Sequence, residues 1–332
     1  MSNSQHTLFQ LLRELIPNEL SMVDEIADLL NVSTGSAYRR IRGQTAISLD
    51  ESEILCYKYN IPLDSILGSK NNSVNFSYRS INPEKLNFKD YLRQILGDLK
   101  RIQAYDQREI IYSAKDIPIF YHFQFKELAS FKIFFWLKTF MQFPEFKDEK
   151  FSLDYMDDEN TKIGNELLES YVSIPSIEIW NDETVNSALK QIDFYYESGL
   201  FVDDSIALIL CDNLLELVRH IKTQADRGRK FLKDKEVADT ENNYKLYYNE
   251  LTLVDNTILV KTGANRTVYL THNLLNNLIT TNESFCNETN TIMENMMNKA
   301  NLISSSSEKL RNQYFIRIED RIVKLKRKFE VS

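Results

Sequence analysis

Glycine and proline are scarce along this chain, at 8 and 6 residues out of 332. A mostly helical protein needs few of either, so their rarity points toward an α-rich class. Cysteine is nearly absent too. Cys56, Cys211 and Cys286 are odd in number, far apart and not in CxxC pairs. That excludes a disulfide framework and a cysteine zinc site, and it fits a reducing, cytoplasmic setting. Long apolar runs are missing. The richest stretch, FKIFFWLKTFMQF at 131–143, carries two lysines and is too short to span a bilayer, so no membrane partner is expected. The first residues, MSNSQHTLFQLLRELIP, have no basic region ahead of an apolar one and do not read as a signal peptide. Net positive charge is lacking, since the formal total is −8. The overall field therefore cannot draw the chain onto nucleic acid, and any such contact must be local.

Motifs of chemistry are lacking as well. His6, His122, His220 and His272 are isolated, with no HxH or HExxH spacing, and no GxGxxG, GxxxxGK or GxSxG occurs. No catalytic residue, metal site or cofactor is expected, and the chain does not read as an enzyme. The acidic groups Asp157-Asp158-Glu159 and Asp203-Asp204 read as helix starts or solvated loops. His122, in an apolar run, reads as a core histidine.

What is present is enough apolar material, 43% of residues, for a full core and about two domains. Leu8, Leu11, Leu12, Leu15 and Ile16 recur at helical spacing until Pro17. Ser21 with Asp24 starts a second helix whose inner face is Val23, Ile26, Ala27 and Leu30. After a break at Asn31-Val32, Ser33 caps a third, with Ala37 and Ile41 inward and Gly43 at its end. Ser48 and Glu51 form a capping box for a fourth, with Ile54, Leu55, Tyr57 and Tyr59 on its core face. LDSIL at 63–67 supplies one more turn.

Residues 68–82, GSKNNSVNFSYRSIN, are rich in Asn and Ser and read as a linker. The expected plan is a helical domain at 1–68, a linker at 69–85 and a larger α+β domain at 86–332. The fold class expected is mostly α with a small antiparallel β element. A long helix starts near Phe88. EIIYSAKDIPIFYHF, at 109–123, reads as one or two strands. Residues 126–142 read as a buried helix, and 158–231 as helical throughout. YKLYYNELTLV, NTILVKTG and NRTVYLTH read as three strands, with hairpin turns at Asp255-Asn256 and Gly263-Ala264-Asn265. Two helices near 272–300 and 305–329 close the chain. The aromatics from Tyr112 to Phe143 read as core, with a ligand pocket as the alternative.

Against the acidic background, STGSAYRRIRG at 33–43 stands out. Residues 1–70 hold six basic side chains against nine acidic ones, and Arg39, Arg40 and Arg42 lie within four positions. A helix over 34–42 that buries Ala37 and Ile41 turns Thr34, Gly35, Tyr38, Arg39 and Arg42 to the other side. Short helices joined by a tight turn suit a helix-turn-helix.

The stretch IADLLNVSTGSAYRRIRGQTAISLDESEILCYKYNIPLDSIL resembles the helix-turn-helix of lambda-repressor-like (XRE-type) regulators over about residues 20–68. Ile26-Ala27 with Leu29-Leu30, Val32-Ser33 at the turn, Gly43, Ser48-Leu49 and Leu63-Asp64 with Ile66-Leu67 carry the likeness. Arg40 stands where that family has an aliphatic residue, with Ile41 one position later. The helix is thus shifted by one in register, and individual base contacts do not carry over.

The resemblance implies a transcription regulator that binds double-stranded DNA with the 34–42 helix in the major groove. Its candidate DNA-binding residues are Ser33, Thr34, Gly35, Ser36, Tyr38, Arg39, Arg40, Arg42 and Gln44. Arg39 suits a guanine edge or a phosphate; Arg40, Arg42 and Gln44 suit phosphates. A homodimer formed by the C-terminal domain, with a small-molecule or protein effector, completes this reading. Two alternatives stay open: an enzyme or effector that uses the helix-turn-helix for targeting or autoregulation, and a protein-interaction module.

Overall fold

The computed structural model describes residues 3–16, 21–59, 61, 63, 66, 73–78, 88–233, 242–251, 255–272 and 276–331. The chain divides into two compact units, Met1–Phe76 and Ser77–Ser332.

Four helices of the first unit are α1 (Asn3–Leu15), α2 (Met22–Leu29), α3 (Thr34–Ile41) and α4 (Leu49–Tyr59). Their starts are fixed by the side chains the sequence offers. Ser21 Oγ accepts the Asp24 N–H at 3.4 Å, and Ser33 Oγ accepts that of Ser36 at 3.3 Å. Ser48 Oγ accepts from the Glu51 N–H at 3.1 Å while Glu51 Oε2 accepts from the Ser48 N–H at 3.0 Å, a reciprocal capping box. Asn31 takes a positive φ of 50° at the turn between α2 and α3, and Gly43 one of 69° after α3. Leu8, Leu12, Ile26, Ala37 and Leu55 form the fully buried centre.

The α4 face differs from expectation. Leu55 and Cys56 point in and Tyr59 is half-buried, whereas Ile54 and Tyr57 point out, Tyr57 at 88% exposure. Two positions along a helix is about 200° around it, so Leu55 and Tyr57 cannot share the inner face. The LDSIL turn lies largely outside the described residues; Ile66 within it is buried.

The second unit overturns the expected fold class. It is not mostly α with a small antiparallel β element but an α/β fold around an eight-stranded mixed sheet. The strands are β1 (Ser77–Tyr78), β2 (Arg108–Ser113), β3 (Ser176–Trp180), β4 (Tyr244–Tyr248), β5 (Thr257–Thr262), β6 (Asn265–His272), β7 (Asn276–Thr280) and β8 (Asn301–Leu302). Their spatial order is β1-β7-β6-β5-β2-β3-β4-β8. β2–β3 and β3–β4 are parallel, and the other neighbours are antiparallel.

The decisive strand is β3. SIEIW lies inside the stretch read as helical, and all five of its residues are buried. A short apolar run buried on both faces has no alternation to separate it from buried helix. Three further differences follow. Strand structure in 109–123 stops at Ser113, and Ile119–His122 is a short helix, α6. Asp255-Asn256 is no hairpin, because β5 pairs with β2 and β6 rather than β4; Asn256 Oδ1 instead accepts the N–H groups of Lys115 and Asp116. The closing region opens with β7. The Gly263-Ala264 turn does join β5 to β6, with Thr262 opposite Asn265 and Gly263 at φ 58°.

Long crossovers place helices between the parallel strands. α5 (Phe88–Gln103) precedes β2. α7 (Lys126–Phe135) and α8 (Asp158–Ser173) lie between β2 and β3. α9 (Glu183–Glu197) and α10 (Ser205–Arg227) lie between β3 and β4. α11 (Glu283–Lys299) and α12 (Glu308–Val331) follow β7 and β8. α5, α7 to α10 and α12 share one large core with edge-to-face rings of Phe131, Phe134, Phe151 and Tyr195. α11 supplies Cys286 and Met293 to a separate, smaller cluster with Ile111, Ile177, Leu259 and Val268 of the sheet. Asp226–Arg311, Arg219–Glu319 and Asp212–Lys326 pair in opposite order along α10 and α12, which therefore run antiparallel.

Candidate nucleic-acid interface

α3 is held by what it buries. Ala37 is wholly buried and Ile41 half-buried, so the helix has one orientation on α1, α2 and α4. Away from that buried side Thr34, Gly35, Tyr38, Arg39 and Arg42 are exposed, as are the cap Ser33 and Gln44 beyond the helix. The Arg42 guanidinium lies over the Tyr38 ring, 5.0 Å from its centroid, which orders both groups on the surface. Ser36 is half-buried, and its Oγ accepts from Ser33 Oγ at 3.1 Å and from Arg39 at 3.3 Å.

Arg40 departs from the expected set. Its Nε and Nη2 donate to the two carboxylate oxygens of Glu51 at 3.0 and 2.7 Å, and Nη1 donates to the Ser36 carbonyl. The side chain is 17% exposed. It is committed to fastening α3 to the start of α4 and is not free to meet a phosphate. The Arg40 bond is also the first cause that holds the Glu51 carboxyl below the usual glutamate range.

Sequence reading missed Gln5 altogether. From α1 its Nε2 donates to the Arg40 carbonyl at 2.8 Å and to the Thr45 carbonyl at 2.9 Å, while Oε1 accepts the Ile47 N–H at 3.2 Å. One amide thus satisfies three backbone groups where the chain leaves α3. The available signal was a polar residue on the apolar side of α1, one turn before Leu8 and Phe9.

The second unit gathers polar groups in its interior rather than on an open surface. Glu178 of β3 is fully buried and accepts four bonds: Tyr121 and Tyr171 hydroxyls at 2.8 and 2.6 Å, Trp180 Nε1 at 2.9 Å and the Tyr244 hydroxyl at 3.1 Å. Burial raises its carboxyl above the ordinary range despite them. Lys230, 5% exposed, donates to the Tyr171 carbonyl at 2.5 Å and sits 3.9 Å from that ring's centroid. Burial pushes its amine down to about 7, with Glu178 opposing. Lys132 is buried against Asp116 and Gln191. His122 is buried beside this pair, and burial brings it down to about 4.

The acidic runs behave as read. Asp157 caps α8 through the Asn160 N–H at 2.7 Å, and Asp203 accepts from the Ser205 N–H at 2.7 Å. Among the described residues no helix is long and apolar enough to cross a membrane, and no three His, Cys, Asp or Glu side chains gather as a metal site. Compared with known proteins, the chain matches no family model, no curated protein and no solved structure.

Proposed function

We propose that the chain is a sequence-specific DNA-binding transcription regulator of the cytoplasm that reads the major groove with α3. One observation carries the reading. The side of α3 opposite Ala37 presents Thr34 and Gly35 at its start and Arg39, Arg42 and Tyr38 beyond them, on an otherwise acidic unit. Small residues at the N-terminal end let the backbone approach base edges, and arginines one and two turns later meet a guanine edge and phosphates. Arg40 leaves the contact set and becomes a positioning residue. The acidic surroundings weaken non-specific attachment, so affinity comes from the α3 face alone.

A single helix-turn-helix buries a modest surface, and two half-sites supply the usual affinity. The functional form in this reading is a homodimer through the second unit. Selection of bound sequences from a random duplex library with the purified full chain tests the reading. An enriched motif with a two-fold repeat, lost progressively with added salt, is expected. Recovery of no motif overturns it and favours a protein-interaction module.

A further inference from the structure

The helical layer of the second unit contains a cavity of about 20 Å³. Phe88 and Leu92 of α5, Phe120 of α6, Phe123, Leu167 of α8 and Trp136 are among its walls. Among the described residues no charged side chain lines it. Trp136 is 7% exposed, and its indole Nε1 is shielded from solvent with no hydrogen-bond partner among the described residues. A buried donor left unpaired destabilises the fold. The indole sits at the start of a π-helical turn, Trp136–Phe140, which breaks the α-helical register after α7. Such turns are costly interruptions that recur at functional sites. An orphan donor, a void and a π turn thus coincide at one residue.

We propose that this cavity is the closed form of a binding site for an uncharged aromatic molecule carrying a hydrogen-bond acceptor, such as a ketone, that receives the Trp136 Nε1–H. Ring walls favour a flat apolar guest, and Lys132, whose Nζ lies 5.7 Å from the Trp136 ring centroid, is already paired with Asp116. The indole can only donate, so the guest must accept. A space of about 20 Å³ takes one water-sized group, so a ring enters by displacing a wall. The wall that yields in this proposal is α5, whose inner face buries Leu92, Leu96, Leu99 and Ile102. Its outer edge is tied to the α8 region by Lys89–Asp157, Lys89–Glu159 and Lys100–Glu166, exposed ion pairs that contribute little. α5 is also the first helix of this unit along the chain, preceded in it only by the short strand β1 among the described residues. The site stands independently of whether α3 reads DNA.

The test uses the full chain with 15N-labelled tryptophan and two probes of like shape, acetophenone and ethylbenzene. The chain has two tryptophans, and the Trp180 indole already donates to Glu178, so its signal is an internal reference. Acetophenone is expected to move the Trp136 indole N–H signal downfield, leave that of Trp180 in place, and bind about tenfold more tightly than ethylbenzene. In Trp136→Phe, which keeps a ring and removes the donor, the two probes should bind equally. Equal affinities for the unaltered chain, no binding of either probe, or an unmoved Trp136 signal overturns the proposal, and none of these depends on the variant folding.

Discussion

Arg39 and Arg40 are neighbours in sequence with opposite commitments. Arg39 is exposed and, among the described residues, its side chain donates to the Ser36 hydroxyl, while Arg40 is clasped by Glu51. Arg39→Ala is therefore expected to lower specific DNA affinity by about 1–3 kcal/mol with the melting temperature unchanged. Arg40→Ala should instead cost on the order of 1 kcal/mol of first-unit stability, read by chemical denaturation. The Arg40–Glu51 contribution also has a pH sign. Glu51 is held below its unfolded value, so the contribution is complete above the ordinary glutamate range and is lost as pH falls through the lowered folded value. An affinity loss for Arg40→Ala matching that of Arg39→Ala in a stable protein would refute the division.

Lys230 has the opposite arrangement. Its folded value, about 7, lies below the ordinary lysine range because burial disfavours its charge. The folded state binds fewer protons than the unfolded one between those values, so stability rises with pH across that window. Replacing Lys230 with Met should remove that rise, on the order of a few kcal/mol between about pH 7 and 9, when the two proteins are compared by denaturant unfolding. Parallel stability curves for the two would show that the amine is charged in the fold.

At the scale of elements, α3 depends on α1 through Gln5. Gln5→Ala leaves the carbonyls of Arg40 and Thr45 and the N–H of Ile47 without their partner, and should destabilise the first unit by about 1–3 kcal/mol. Amide exchange at Ile47 is the direct readout, and unchanged protection there would mean that water replaces the amide without loss. The caps at Ser21, Ser33 and Ser48 were legible because a cap is a local contract between residues three apart. The Gln5 clamp joins residues 35 and more apart and leaves no local pattern. The same divide explains the sheet. The β5–β6 hairpin announces itself through Gly263, whereas β3 is defined by partners 66 to 68 residues away on either side in sequence. The runs of 244–272 were visible as strands, but that they extend a parallel β2–β3–β4 centre depended on those distant pairings.

For the whole molecule, the junction between units falls between Phe76 and Ser77, inside the stretch read as a linker. Two of its described residues already belong to the second unit, and the residues from 79 to 85 lie outside those described. Ser77 and Tyr78 pair with Ile279 and Leu278 of β7, and the Tyr78 ring packs edge-on against His272. Protection in a sheet removes a backbone from protease, while the Asn- and Ser-rich composition before it offers cleavable positions. Limited proteolysis is thus expected to cut ahead of Ser77 and to release a fragment that keeps every strand from β1 to β8. Light scattering on that fragment then reports where self-association resides. A dimer at micromolar concentration supports pairing through the second unit, and a monomer transfers that role to the first, whose exposed Ile54 and Tyr57 on α4 would be the next surface to alter. If operator DNA orders the first units on two half-sites, it should slow the cut ahead of Ser77 and leave cleavage elsewhere in the chain unchanged. Equal cutting with and without bound DNA would show that each unit engages or ignores DNA without constraining the segment between them, and an effector bound at Trp136 could then not reach the DNA-reading helices by ordering that segment.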